Sequence, residues 1–358
     1  MAALLLYAYA SGERSSRVIE RRSREDIAFR IIAAGLAPDH VTIARFRRRH
    51  ADALIGLFSQ VLGLCKRAGL VRLGTVAIDG TKVRANASKE RFAPAAEAAN
   101  LLAEAEARDV AEEQLDPGRQ DALRGASGGG APAERRARFD QAAESLTDDE
   151  RPTPRAAPPE LPRPKSNKAK GRQLAAERKA SQNLTDPDSR VMKARRGWVQ
   201  GYNAQVAVDE NHVIVACDVS SAVNDHRLLE PLVAAARRET SAASDRPPEF
   251  IADSGYWNGE AVERLHAAGE RLLVPPNGRP RTRGVGGSST VTKMTEILAE
   301  PDTARRYRRR QALVEPVIAH VKCNRRLDRF LLRGQAGVRL EWALGCTAHN
   351  LHRLARAG

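Results

Sequence analysis

Three acidic residues are set apart by what surrounds them. Asp79 closes the apolar run Val76-Ala77-Ile78 and precedes Gly80, while Asp253 closes Phe250-Ile251-Ala252 and precedes Ser254 and Gly255. Glu315 lies within a cationic stretch between Tyr307 and Lys322. Two carboxylates presented from strands and one from a basic helix suit a two-metal phosphoryl-transfer site on nucleic acid, where divalent ions relieve the repulsion between like charges. Each residue also has a plainer reading. Asp-Gly is a common turn pair, and a lone glutamate among arginines is an ion-pair partner. Asp209, Asp218 and Asp225 are further candidate ligands, with turn, strand-surface and helix-capping roles as their simpler accounts. Glu296, Glu300 and Glu341 sit in less basic surroundings than Glu315.

These acids need a frame, and the pattern from residue 71 onward supplies one. Residues 73–85 read as a strand with a turn at Gly80. Residues 202–209 alternate apolar and polar types, and with 213–219 they form a hairpin turning at Asn211. Asn224 and Asp225 cap a helix over 226–238. A short buried strand at 250–253, a helix at 259–268 and a strand at 271–274 follow. After a Gly/Ser-rich loop at 278–289, helices span 302–326 and 337–356. That order makes an α/β layer with one mixed sheet. If the strands of Asp79 and Asp253 are neighbours, both carboxylates emerge at one edge. Pro316, directly after Glu315, predicts a kink or a fresh helix start.

Residues 1–70 read as helices. One covers 15–34, a break falls at 35–40, and Asp39 or Thr42 caps the next, which runs to about residue 64. The pair fits a helix-turn-helix whose second helix brings Arg45, Arg47 and Arg48 to DNA, or equally a helical hairpin with a solvated basic face. The short apolar opening is a buried helix, with neither the basic leader of a signal peptide nor the length of a membrane span. A chain starting inside such a helix is what an N-terminally shortened copy would show. Residues 89–196 differ in kind. An Ala/Glu-rich helix at 94–113 precedes Gly-rich and Pro-rich runs that bury little apolar surface, so this is an insertion, partly helical and otherwise mobile.

The net charge of +15 points to a polyanionic partner, and its distribution sharpens the point. Residues 271–358 carry 18 Lys and Arg against 6 Asp and Glu, while residues 89–160 carry 10 against 16, so the positive field belongs to the C-terminal quarter. Four scattered cysteines without paired spacing disfavour a zinc ribbon or disulfide framework and fit a reducing cytoplasm. His349 and His352 lack a third metal ligand in sequence. Tyr256 and Trp257 would stack on a base or pack beneath the site.

The blocks Asp79 to Asn86, Gly201 to Asp209, Ala252 to Tyr256, Tyr307 to Lys322 and Phe330 to Leu351 together resemble DDE-type bacterial insertion-sequence transposases, as does the basic segment from Arg17 to Arg49. The resemblance implies a ribonuclease-H-like catalytic domain over 71–88 and 197–358, interrupted by the 89–196 insertion and preceded by a DNA-binding region at 1–70. It makes Asp79, Asp253 and Glu315 a catalytic triad for two Mg²⁺, with Mn²⁺ as an alternative. Tyr307, Arg310 and Lys322 match the family's basic signature, although Arg310 precedes Glu315 by five residues where the commonest form has four. Arg308 and Arg309 are alternative arginines. The implied activity is metal-dependent cleavage at element ends and strand transfer into target DNA. Its partners would be double-stranded terminal repeats and target DNA, held by a homodimer at the nucleoid in the cytoplasm, with no membrane. The alternative is a shortened, inactive remnant that only binds DNA.

Overall fold

The apolar run before Asp79 becomes a strand, and that strand does not stop at Gly80. In a computed structural model describing residues 1–87, 92–94, 181–194, 197–240, 248–277 and 289–357, β1 spans Thr75–Arg84. The Asp-Gly pair therefore sits mid-strand, and the turn expected there is absent. Gly80 serves close approach instead: a Cβ at this position would lie 2.4 Å from Nε2 of Gln205 on the neighbouring strand. Only glycine lets that amide come so near.

The remaining strands of the main sheet are β2 (Arg190–Ala194), β3 (Gly197–Val208), β4 (Ile214–Ser220), β5 (Glu249–Ile251) and β6 (Arg271–Leu273). Their order is β2–β3–β1–β5–β6, and β4 also pairs with β3. β3 is long enough to pair with β2 through residues 197–201 and with β4 through residues 203–208. It runs antiparallel to β1, from Ala77↔Val208 to Arg84↔Gly201. On its other edge β1 is parallel to β5, which is parallel to β6. The sheet is thus mixed, as the sequence predicts. In the β3–β4 hairpin the positive φ falls on His212 (φ 61) and not on Asn211. Asp209 organises this turn, accepting from the backbone N–H groups of Asn211, Val213 and Arg72 at 3.0, 2.8 and 2.7 Å. That is the turn role weighed for it above.

Helices flank the sheet. The N-terminal ones are α1 (Ala2–Ala10), α2 (Ser16–Glu25), α3 (Ile27–Ile32), α4 (His40–Arg49) and α5 (Ala51–Arg67). The single helix expected over 15–34 breaks at Asp26, whose carboxylate caps α3 through Ala28 N at 2.9 Å. Asp39 caps α4 through Thr42 N at 2.6 Å. After the sheet's hairpin come α6 (Leu229–Thr240), α7 (Gly259–Ala267), α8 (Ser289–Ala299), α9 (Pro301–Ala319) and α10 (Gly334–Ala355). α9 contains Pro316 and continues into a π turn, His320–Asn324.

Every residue of α10 from 340 to 350 is buried, because two cores share it. Leu340, Leu344 and Ala348 pack with Leu4, Leu5, Tyr9, Ile19 and Phe29 of the N-terminal helices. Trp342 and Cys346 join the sheet core, which also takes Phe58, Val61 and Leu62 from α5. The N-terminal helices therefore share one compact unit, residues 1–92 and 182–358, with the sheet. β2 lies inside the range expected as insertion. Residues 93–181 cluster separately, and almost all of them, with the predicted helix at 94–113 and the Pro-rich run, lie outside the described residues, as does the loop at 278–288.

Candidate active site

Asp79 sits where β1 passes from full burial at 75–78 to partial exposure. β5 runs beside it with Ala77 opposite Ile251. Asp253 follows two residues after Ile251, just past the end of β5, so the paired strands deliver both aspartates to the same end of the sheet. Asp253 itself begins a 3₁₀ turn, Ser254–Tyr256, and its Oδ1 accepts from Gly255 N at 2.9 Å. The two carboxylates are close enough that the charge on Asp253 helps raise the pKa of Asp79, on top of the larger effect of burial. The Arg310 guanidinium opposes both, donating from Nη1 to Asp79 Oδ2 at 2.9 Å.

A third aspartate belongs to this cluster and was read differently in sequence. Asp225 does not cap α6, which begins at Leu229. Its Oδ1 accepts from Asn203 Nδ2 at 2.6 Å and Gln205 Nε2 at 3.0 Å, and Lys82 Nζ lies 3.6 Å away. A Cβ at Gly255 would lie 3.0 Å from Asp253 Oδ1 and 3.6 Å from Asp225 Oδ2, so both carboxylates close on the same glycine. The available signal was the pair Asn203 and Gln205 on alternate positions of a strand. Both are buried, and buried carboxamides on one strand face need polar partners from neighbouring elements. Tyr256 lies beneath, buried, with its hydroxyl on Gln205 Oε1, which settles its packing role over base stacking.

α9 supplies the cationic side. Tyr307 and Arg310 face the aspartates, and the charges of both Asp253 and Asp79 bear on each of them. Lys322, on the π turn, donates to Thr81 Oγ1 at 2.9 Å and to the Lys82 carbonyl at 3.2 Å. Tyr307, Arg310 and Lys322 thus all turn toward β1 or its carboxylates. Arg308 is exposed, and Arg309 pairs with Glu210 at 3.3 Å, so among the three arginines Arg310 is the one against the acids.

Glu315 is not brought to them. It is exposed, and about 140° around the helix from Arg310 at 100° per residue. The inward position beside it belongs to Val314, which is fully buried. Among the described residues no three His, Cys, Asp or Glu side chains meet in a metal-holding group. Asp79 and Asp253 nevertheless suit a hard cation, since Mg²⁺ is commonly held by one or two carboxylates together with substrate phosphates.

The remaining candidates separate cleanly. Arg45 and Arg48 are exposed on α4. Arg47 is not available to DNA in this fold: it is buried, and it donates to the Arg14 carbonyl at 3.0 Å and to Ser16 Oγ. The physical reason is its place on the inward face of α4 beside Ile43. Asp218 pairs with Arg339 at 2.9 Å on the surface, and Glu341 is a buried partner of Arg14. His349 does meet a second histidine, with its Nδ1 2.8 Å from that of His320, in cationic surroundings that include Arg325 and Arg353. No helix among the described residues is long and apolar enough to cross a membrane.

With this geometry in place, comparison with known families is direct. A model of the transposase DDE domain matches residues 163–351, more than half of the chain, and the transposase domain DUF772 matches residues 1–49. No curated protein and no solved structure matches. The DDE match begins beyond Asp79, which joins the site through its ion pair with Arg310 and its nearness to Asp253.

Proposed function

The chain belongs to the transposase DDE domain family, and from that premise we propose that it is a metal-dependent DNA transposase whose acid pair is Asp79 and Asp253. One observation carries this reading. Asp79 on β1 and Asp253 just past the end of the neighbouring parallel β5 lie close enough for their charges to interact, with Arg310 held against Asp79 at 2.9 Å. The strand order, an antiparallel β4–β3–β1 meander extended by parallel β5 and β6, supports a ribonuclease-H-like catalytic fold.

In this reading Asp79 and Asp253 would hold Mg²⁺, joined by Glu315 only if α9 shifts register to turn it inward, and the bound metal would supply charge neutralisation for in-line phosphoryl transfer. The protein's own groups position the substrate. Arg310 and Lys322 bind phosphate oxygens of the duplex, and Tyr307 props Arg310 from the same face of α9. At the element end water adds to the phosphodiester and the 3′ oxygen leaves. The freed 3′-OH then attacks a target phosphodiester and displaces that strand's 3′ oxygen. Arg45 and Arg48 on α4, within the DUF772 match, provide the separate terminal-repeat contact.

The test is cleavage of a terminal-repeat duplex in Mg²⁺ by the wild-type chain and by Asp79→Asn and Asp253→Asn. Each variant should lose on the order of 10³-fold or more, several kcal/mol of transition-state stabilisation. Equal cleavage by either variant would remove that residue from the site.

A further inference from the structure

The acid cluster contains a cation that the transposase reading leaves without a role. Lys82 follows Asp79 by three residues on β1, and its ammonium lies 3.6 Å from Asp225. It is half-buried, and the charges of Asp225, Asp253 and Asp79 all bear on it. Asp225 in turn is not a loosely placed surface acid. Two carboxamides, Asn203 and Gln205, hold its Oδ1, and Gln205 is fixed by its own bond to Asn203 at 2.8 Å and by the Tyr256 hydroxyl. The absence of a side chain at Gly80 gives those amides their room.

A carboxylate held this firmly beside the acid pair, and a lysine resting on it, have a simple electrostatic consequence. We propose that Lys82 is a positioning residue: the tethered counter-ion of the acid pair, parked on Asp225, that competes with the divalent cation and turns to a DNA phosphate when the cation binds. The inference rests on the transposase reading of Asp79 and Asp253 but assigns what that reading does not, the roles of Lys82 and Asp225. A flexible four-carbon stem ending in a compact charge suits such a transfer better than a planar guanidinium would. The ammonium lies 3.6 Å from Asp225 and the charges of Asp253 and Asp79 also favour it, so removing Lys82 leaves these carboxylates with less local positive charge and a stronger pull on a cation.

The two variants of the pair should move metal affinity in opposite directions. Mn²⁺ titration of the full chain without DNA, followed by electron paramagnetic resonance, reads this directly. Lys82→Gln should bind Mn²⁺ about tenfold more tightly, the scale of one unit of pKa-like charge interaction. Lys82→Arg should stay near wild type. Asp225→Asn should bind more weakly, because the released ammonium settles on Asp79 and Asp253. A role in packing alone would not give opposite signs. Unchanged or weaker Mn²⁺ binding by Lys82→Gln overturns the proposal. Asp79→Asn separates the two levels of argument. If it lowers Mn²⁺ affinity while Lys82→Gln has no effect, the acid pair stands and the counter-ion falls; if it has no effect, both fall. A second readout is duplex binding in Mg²⁺, where Lys82→Gln should lower the salt slope by about one phosphate contact.

Discussion

At the scale of single residues, burial and neighbouring charge decide what each group can do. His349 shows this away from the site. Burial holds its pKa down to about 3, and His320, Arg353 and Arg325 add to the effect, against a smaller opposing contribution from its bond to the His212 carbonyl. His320 is held at about 4, again chiefly by burial, with Arg325, His352, Arg356 and Arg353 adding to the effect. Both rings therefore stay neutral in the fold, while in the unfolded chain they take protons near their ordinary value of 6.5. Their stabilisation is complete above pH 6.5 and is lost as the pH falls through 6.5 toward 4. For buried His349 alone, the loss between pH 6.5 and pH 5 is about 2 kcal/mol at 1.4 kcal/mol per unit. Urea midpoints at pH 7 and pH 5 measure it, and a His349→Gln chain should show the smaller drop. If both chains lose equally, His349 is not the group that titrates.

Asp225 illustrates what sequence shows at this scale and what it hides. Asp79 and Asp253 were legible because each ends an apolar run, where a charge has no simple structural use. Asp225 looked like a helix cap because Asn-Asp before a helix gives the same local signal whatever its carboxylate touches. Its partners, Asn203 and Gln205, are 22 and 20 residues away, and Lys82 is further still. Gly80 was misread for a related reason. A glycine after aspartate marks a turn or a close approach equally well, and the second strand that decides between them is more than a hundred residues distant.

At the scale of elements, the register of α9 sets which of its residues the site receives. Tyr307, Arg310, Val314 and Val317 share its inward side, while Glu315 is one position beyond it. That offset is the same single residue by which the Arg310–Glu315 spacing exceeds the commonest signature. Two features make the register adjustable. Pro316 removes one backbone hydrogen bond within the helix, and the π turn at His320–Asn324 already carries an extra residue. Moving that extra residue to the N-terminal side of Glu315 would rotate it by about 100°, into the position Val314 occupies. The expectation is that Glu315→Gln abolishes cleavage while changing stability by less than about 0.5 kcal/mol, since the side chain is exposed. Adding Val314→Glu should not restore cleavage, and it should lower the thermal midpoint by burying an unpaired carboxylate. Restored cleavage would mean that the helix keeps its present register in the active state.

At the scale of the whole molecule, the arrangement of α10 binds the N-terminal helices and the sheet into one body. The composition of residues 1–70 suggested a separate region, because local patterns report helices without reporting what they pack against. The link is a buried ion pair. Arg14, in the loop between α1 and α2, meets Glu341 in the middle of α10, and both are almost wholly enclosed. Glu341 also accepts from Leu331 N and Leu332 N, each at 2.9 Å, while Arg14 donates to the Arg329 carbonyl at 2.9 Å. One guanidinium and one carboxylate thus join α1–α2, the segment after the π turn and the central helix. Such a pair adds little over a well-packed apolar substitute, but removing one partner leaves the other charge buried and alone, a loss of about 3–5 kcal/mol. Arg14→Ala should therefore destabilise the whole unit of residues 1–92 and 182–358, with helical and tryptophan signals lost in a single transition at a lower urea midpoint. Trp342 lies one residue from Glu341 and is fully buried, so its fluorescence, read with Trp198 and Trp257 replaced by Phe, reports on this junction. If the N-terminal helices melted first while Trp342 kept its buried emission, the two regions would be separable and the ion pair merely local. A single transition would mean that α4 is mechanically continuous with the helix that packs beneath the sheet.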